Sequence, residues 1–447
     1  MFDQNISVIF NSRKDVFLFN LSEEGEIIYT IYDSSLNKLQ SNFLFDKNIL
    51  KYSTLIDEND FIHLVALLNT GELNYYKYIN DEWVKDNIAK FDLKSNLYNQ
   101  IKILIIKDNL HIIYNYSNII NSNIWTIQHV VLNDKNGEKH NAIRYISKRV
   151  ADPFFVDVDS SGNIHVVYKT YINNDSQIYH GFYNPFTRTW SSVSKHISSS
   201  DFNNIFPFLF IDSQNNLHIL WIEESINKLN LKYLRMKGSG KEKYIWKEIS
   251  LPHISLSKNQ PIIFEENNKL KLIYFSNDSM ILSSSKDYGD SWVREEIMPL
   301  PQNISIAKVN SNILPSENQI KYGYLNILDK PIFYFLELYS KSSILTYDKA
   351  TSESESINED TNIEVDEKKS HELVDINPIS FHDLMEVDKK LEKIIENQYI
   401  LTKILDNQLN IENNLSNIQI NIENKLDDIQ KSIDSNKKSF FNNFFNS

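Results

Sequence analysis

Along the first three-quarters of the chain, short runs of Phe, Tyr, Ile and Val alternate with clusters of Asn, Asp, Ser and Gly, which is strand composition at strand length. The runs repeat. "FIHLVA" around His63, "NLHIIY" around His111, "NIHVVY" around His165 and "NLHILW" around His218 share one apolar frame. "KLKLIY" sets Lys271 at the same place, and weaker copies centre on Phe17 and Lys321. The seven markers are 46, 48, 54, 53, 53 and 50 residues apart. Each clear copy reads as strand, tight polar turn, strand, then a third strand, then a turn leading to a Trp that opens a fourth. Trp83, Trp190, Trp246 and Trp292 follow their markers by 20, 25, 28 and 21 residues.

Four antiparallel strands in a repeat of roughly fifty residues describe one blade of a β-propeller. A blade buries both faces only by packing on its neighbours, so its second strand is expected to be apolar on both sides. The expected fold class is all-β over residues 1–346, a seven-bladed propeller, or six-bladed if the first and last pieces combine.

The pattern changes at about residue 347. Residues 347–379 are acidic and serine-rich, with almost no apolar positions over 348–372, as in a solvated, disordered linker. Residues 380–437 hold neither Gly nor Pro, and their apolar spacing shifts to three and four. Leu384, Val387, Leu391, Ile394, Leu401 and Leu405 form one seam, interrupted by Gln408. It resumes through Leu415, Ile422, Leu426 and Ile429. A stripe this narrow needs a partner in water, and a coiled coil making a homo-oligomer is the expectation. A helix packed back on the propeller and a helical hairpin broken near Asn413 are the alternatives. Residues 438–447 put Phe440, Phe441, Phe444 and Phe445 at helical spacing, suited to docking, to a membrane surface or to capping a helix bundle.

Charge removes one class of function. A formal net charge of −13 repels polyanions, so no nucleic-acid partner is expected. The absence of cysteine excludes disulfides, thiolate metal sites and thiol nucleophiles. No apolar run is long enough to span a bilayer. The N-terminal "MFDQNISVIF" has no signal-peptide pattern, which suits a cytoplasmic protein or one assembled onto a spore or phage particle from inside a bacterial cell.

The recurrent His63, His111, His165 and His218 suggest a metal ring, but they lie on second strands of different blades and cannot converge within metal-ligand distance of one ion. They are read as structural, each bonding a turn or neighbouring strand, with no metal and no cofactor. "DVDSSGNIHVVY" imitates a calcium loop with Asp157, Asp159, Ser161 and Gly162, but Tyr168 stands where a bidentate Glu is required, so it is read as a hairpin. Glu223 and Glu224 are adjacent on a strand and point to opposite faces, so they do not form an acid/base pair.

"SSSKDYGDSW" carries Ser285, Asp287, Gly289 and Trp292 at the spacing of the Asp-box turn. With the blade repeat, it resembles the sialidase-type (BNR-repeat) propeller. That resemblance implies three arginines clamping a substrate carboxylate, a Tyr paired with a Glu as nucleophile, an Asp as acid/base and an early Phe-Arg-Ile-Pro motif. The motif is missing, and the six arginines, Arg13, Arg144, Arg149, Arg188, Arg235 and Arg294, are scattered. No catalytic residue is therefore assigned. The leading expectation is a non-enzymatic binding and assembly protein, its propeller head multimerised by the coiled coil and engaging a protein partner or surface glycan through one face. The alternative is a glycan-binding, lectin-like or glycoside-active propeller.

Overall fold

The computed structural model describes residues 5–335, apart from gaps at 45, 133–136, 173–174, 226–227, 242, 253–255, 313–318 and 328–329. The chain divides into two units, Met1–Asn358 and Glu359–Ser447, and all described residues lie in the first. The expected linker, the seam from Leu384 to Ile429 and the phenylalanine tail lie outside the described residues.

The described chain is all-β, in seven consecutive repeats. The first holds β1 (Ile6–Phe10), β2 (Val16–Leu21), β3 (Ile27–Tyr32) and β4 (Lys38–Phe43). The second holds β5 (Ile49–Ile56), β6 (Ile62–Leu68), β7 (Glu72–Ile79) and β8 (Glu82–Lys90). The third holds β9 (Asn96–Ile106), β10 (Asn109–Asn118), β11 (Ile124–Leu132) and β12 (Gly137–Ile146). The fourth holds β13 (Phe155–Val158), β14 (Ile164–Ile172), β15 (Asp175–Asn184) and two short strands, β16 (Thr189–Trp190) and β17 (Lys195–His196). The fifth holds β18 (Asn203–Ile211), β19 (Leu217–Ser225), β20 (Lys228–Met236) and β21 (Trp246–Glu248). The sixth holds β22 (Ile262–Glu266), β23 (Lys269–Phe275), β24 (Ser279–Ser285) and β25 (Val293–Pro299). The seventh holds β26 (Ile304–Ser311), β27 (Tyr322–Asn326) and β28 (Ile332–Phe333).

Repeats two to six each make one antiparallel sheet. The first and seventh share a sheet, because β1 pairs in parallel with β26, Ser7 opposite Lys308 and Phe10 opposite Ser311. Six sheets thus carry seven repeats. The joint is parallel because each repeat begins with an inner strand running the same way along the ring axis.

Second strands are the core. Every residue of β6 is buried, as are the first seven residues of β14 and of β19. Each is covered by its own sheet edges and by the neighbouring repeats, and each buried Ile, Leu or Val contributes roughly 1.5–3 kcal/mol. Outer strands β4, β8 and β25 are largely exposed. Tyr322 closes the centre: its ring lies 5.3 Å from Phe155 and 5.6 Å from Phe208, joining the seventh repeat to the fourth and fifth. Among the described residues, no helix is long and apolar enough to cross a membrane.

Candidate functional site

The marker histidines belong to a polar relay that recurs between strands. In the hairpin after β5, Asp57 Oδ1 accepts the amides of Asn59 and Phe61 at 2.9 Å. Its Oδ2 lies 3.0 Å from His63 Nε2, and the Tyr75 hydroxyl lies 2.6 Å from His63 Nδ1. The fifth repeat copies this arrangement. Asp212 Oδ1 accepts Gln214 and Asn216, Oδ2 meets His218 Nε2 at 3.0 Å, and Tyr233 lies 2.7 Å from His218 Nδ1.

In the fourth repeat Asp159 holds the hairpin through Ser161 and Asn163, at the stretch that imitates a calcium loop. His180 replaces the tyrosine there, 3.0 Å from His165. In the third repeat His129 Nε2 meets His111 Nδ1 at 2.9 Å, and the Trp190 indole N–H donates to His129 Nδ1 at 3.3 Å. That contact makes Nδ1 the acceptor, so His129 carries its proton on Nε2 and donates it to His111. Burial pushes His111 down to about 4, and burial with neighbouring imidazoles pushes His129 down to about 3. Asp57, His63 and Tyr75 have the types of a catalytic relay, but the copy at Asp212, His218 and Tyr233 is sealed in the core, which marks the arrangement as part of the fold. Among the described residues, no group of three or more His, Cys, Asp or Glu side chains is placed to hold a metal ion.

The Asp-box seals one repeat against the previous one. Ser285 donates to Asp287 at 2.7 Å and accepts the Gly289 amide at 2.7 Å, while Asp287 accepts the Ser291 amide at 2.8 Å. Gly289, at φ +87°, passes directly over Tyr233. The Trp292 ring meets Tyr233 edge-on at 5.5 Å, and buried Arg235 donates to the Tyr288 carbonyl at 2.8 Å and pairs with Asp290. The earlier tryptophans work similarly: Trp246 lies 5.5 Å from His180, and Trp190 against His129.

A cavity of about 970 Å³ opens where the inner strands β5, β9, β13 and β26 end. Its wall includes His63 and Tyr75, so one marker histidine reaches the cavity. Its floor consists of residues that repeat reasoning did not select. Lys102 on β9 is 4% exposed and donates to the Tyr322 hydroxyl at 2.7 Å. Lys308 on β26 donates to the Thr54 carbonyl at 2.8 Å and to Ser53 Oγ at 3.2 Å. Burial, with Lys308 nearby, pushes Lys102 well below the usual lysine range; burial, with Lys321 nearby, brings Lys308 down to about 7.

Asp157 accepts the amides of Val158 at 2.9 Å and Ile211 at 2.8 Å, with Lys321 Nζ 3.7 Å away; burial pushes its carboxyl up. The sequence signal for the floor was faint. "IKILII" and "IAKVN" each set one lysine inside an apolar strand without an adjacent acid. Arg235 is buried in the Asp-box seal, Arg13 and Arg188 pair on the surface with Asp15 and Glu138, and none of the six arginines lines the cavity.

No known protein-family profile matches the chain, and no curated protein matches it. Solved structures share its fold. The BP39L lectin from Burkholderia pseudomallei superposes with a TM-score of 0.50 at 10% identity, over 74% of this chain and 98% of the lectin. The polysaccharide lyase Uly1 gives 0.46 at 11% identity, over 74% and 86% of the two chains. The SapL1 lectin, in complex with alpha methyl fucoside, gives 0.40 at 11%, over 68% and 98%. The body therefore has a propeller-like, multi-sheet β fold, shared with the BP39L lectin. This corrects the leading functional expectation, the assembly head multimerised by a coiled coil: the solved structure that shares the fold is a lectin, which favours the alternative over it.

Proposed function

We propose that this chain is a lectin-like propeller that binds glycans in this cavity without cleaving them. The observation carrying this reading is the cavity itself, about 970 Å³ and walled by carboxylates, lysines, amides and Tyr75 from four different repeats. Recognition of a polyhydroxylated ligand requires donors and acceptors fixed on rigid elements, and strand ends of a packed ring supply both. The scattered arginines support the non-catalytic side, since a bidentate guanidinium clamp on a carboxylate needs them gathered at one place.

The test is a glycan array followed by calorimetry on the full chain. Binding is expected, and replacing the exposed rim carboxylates together, Asp86→Ala with Asp108→Ala, is expected to weaken it about tenfold, the scale of one lost charge-assisted hydrogen bond. Silence across neutral and acidic glycans overturns the reading. Turnover of a fluorogenic sugar panel overturns its non-catalytic part.

A further inference from the structure

Two lysines stand on the cavity floor. Lys102 and Lys308 both line the cavity, and their hydrogen bonds go only to neutral oxygens: the Tyr322 hydroxyl, the Thr54 carbonyl and Ser53 Oγ. Among the described residues, neither amine has a carboxylate within ion-pair distance. The one acid on the floor, Asp157, already holds the amides of Val158 and Ile211 and has Lys321 beside it. Once charged, each amine has three donors, so Lys102 then offers two and Lys308 one beyond these contacts. Bringing an amine out of water without an anion is costly, and an anion entering the cavity would recover that cost in the same place.

We propose that the floor is a carboxylate subsite, in which the Lys102 and Lys308 amines, backed by the Tyr322 hydroxyl, take the acid group of a carboxylated sugar; this rests on the glycan-binding reading above. The site differs from an arginine clamp because a lysine amine can surrender its proton when the cavity is empty and regain it when the acid arrives. The titratable and charged groups around Lys308 are Lys321 just before β27 and Tyr322 at its start, Lys102 on β9, Asp157 on β13, Tyr52 on β5 and Asp57 beyond it; β1, its parallel neighbour, brings none. With Lys308 near 7 in the free protein, ligand binding draws in a proton above that pH. Affinity should then fall as pH rises through about 7, by up to about tenfold per pH unit for each of the two amines that must regain a proton.

The experiment is titration calorimetry of the full chain with glucuronate- and sialate-terminated oligosaccharides beside their neutral counterparts, in two buffers of different ionisation heat at pH 8. Acidic sugars are expected to bind at least about tenfold tighter, with proton uptake, a preference that Lys308→Gln and Lys102→Met each remove while neutral-sugar binding persists. Lys308→Arg, which keeps the charge, should retain the preference and lose the step in affinity near pH 7. If a variant fails to fold, proton uptake by the unaltered protein decides. Neutral sugars binding as tightly as acidic ones, without proton uptake, overturn the subsite and leave the glycan reading standing; no binding by either set removes both.

Discussion

A methyl group at Gly289 would meet the Tyr233 hydroxyl at 2.0 Å, on a residue whose φ of +87° already disfavours any side chain. Both penalties fall on one position because the Asp-box must turn sharply while lying against the preceding repeat. Gly289→Ala is therefore expected to cost about 2 kcal/mol or more, read as a lower urea midpoint at unchanged slope. The motif's functional associations do not account for this glycine; its neighbours do. Asp287 likewise spends both oxygens inside the turn, on Ser285 and Ser291.

At the scale of strands, the relay between second and third strands sets how the fold responds to acid. His111 and His129 share one short contact and stay neutral when folded, at about 4 and about 3, whereas an exposed imidazole titrates near 6.5. Their folded values are depressed, so below about pH 6.5 the unfolded chain takes up more protons and stability is lost as pH falls. Stability should be level above pH 7 and fall between pH 6.5 and 4, by on the order of 3 kcal/mol for each of the two, read as falling thermal midpoints. His129→Gln should flatten part of that slope.

The second strands were also the most legible elements in the sequence. Burial on both faces made "NIHVVY" and "NLHILW" nearly continuous apolar runs, and the interval to Trp190, Trp246 and Trp292 reported the return to the neighbouring sheet. Lys102 and Lys308 were not legible because their proximity exists only once distant inner strands meet. Nothing in either local sequence names the other, 206 residues away. The marker pattern also hid the difference between His63, which reaches the cavity wall, and His218, which does not.

For the molecule as a whole, the remaining prediction concerns copy number. If the seam through Leu391, Leu415 and Leu426 joins chains, Leu391→Asp with Leu426→Asp should reduce the mass measured by light scattering to that of one chain, 52.5 kDa, and leave single-site sugar affinity unchanged while multivalent capture weakens. An unaltered mass would remove the self-association. The parallel joint between β1 and β26 has a separate consequence, in time. Ser7 finds Lys308 only after some three hundred intervening residues have left the ribosome, so the first strand emerges early and waits with one edge bare. Closure is thus among the last events of maturation, and an interrupted or truncated synthesis product would present that bare edge to its neighbours.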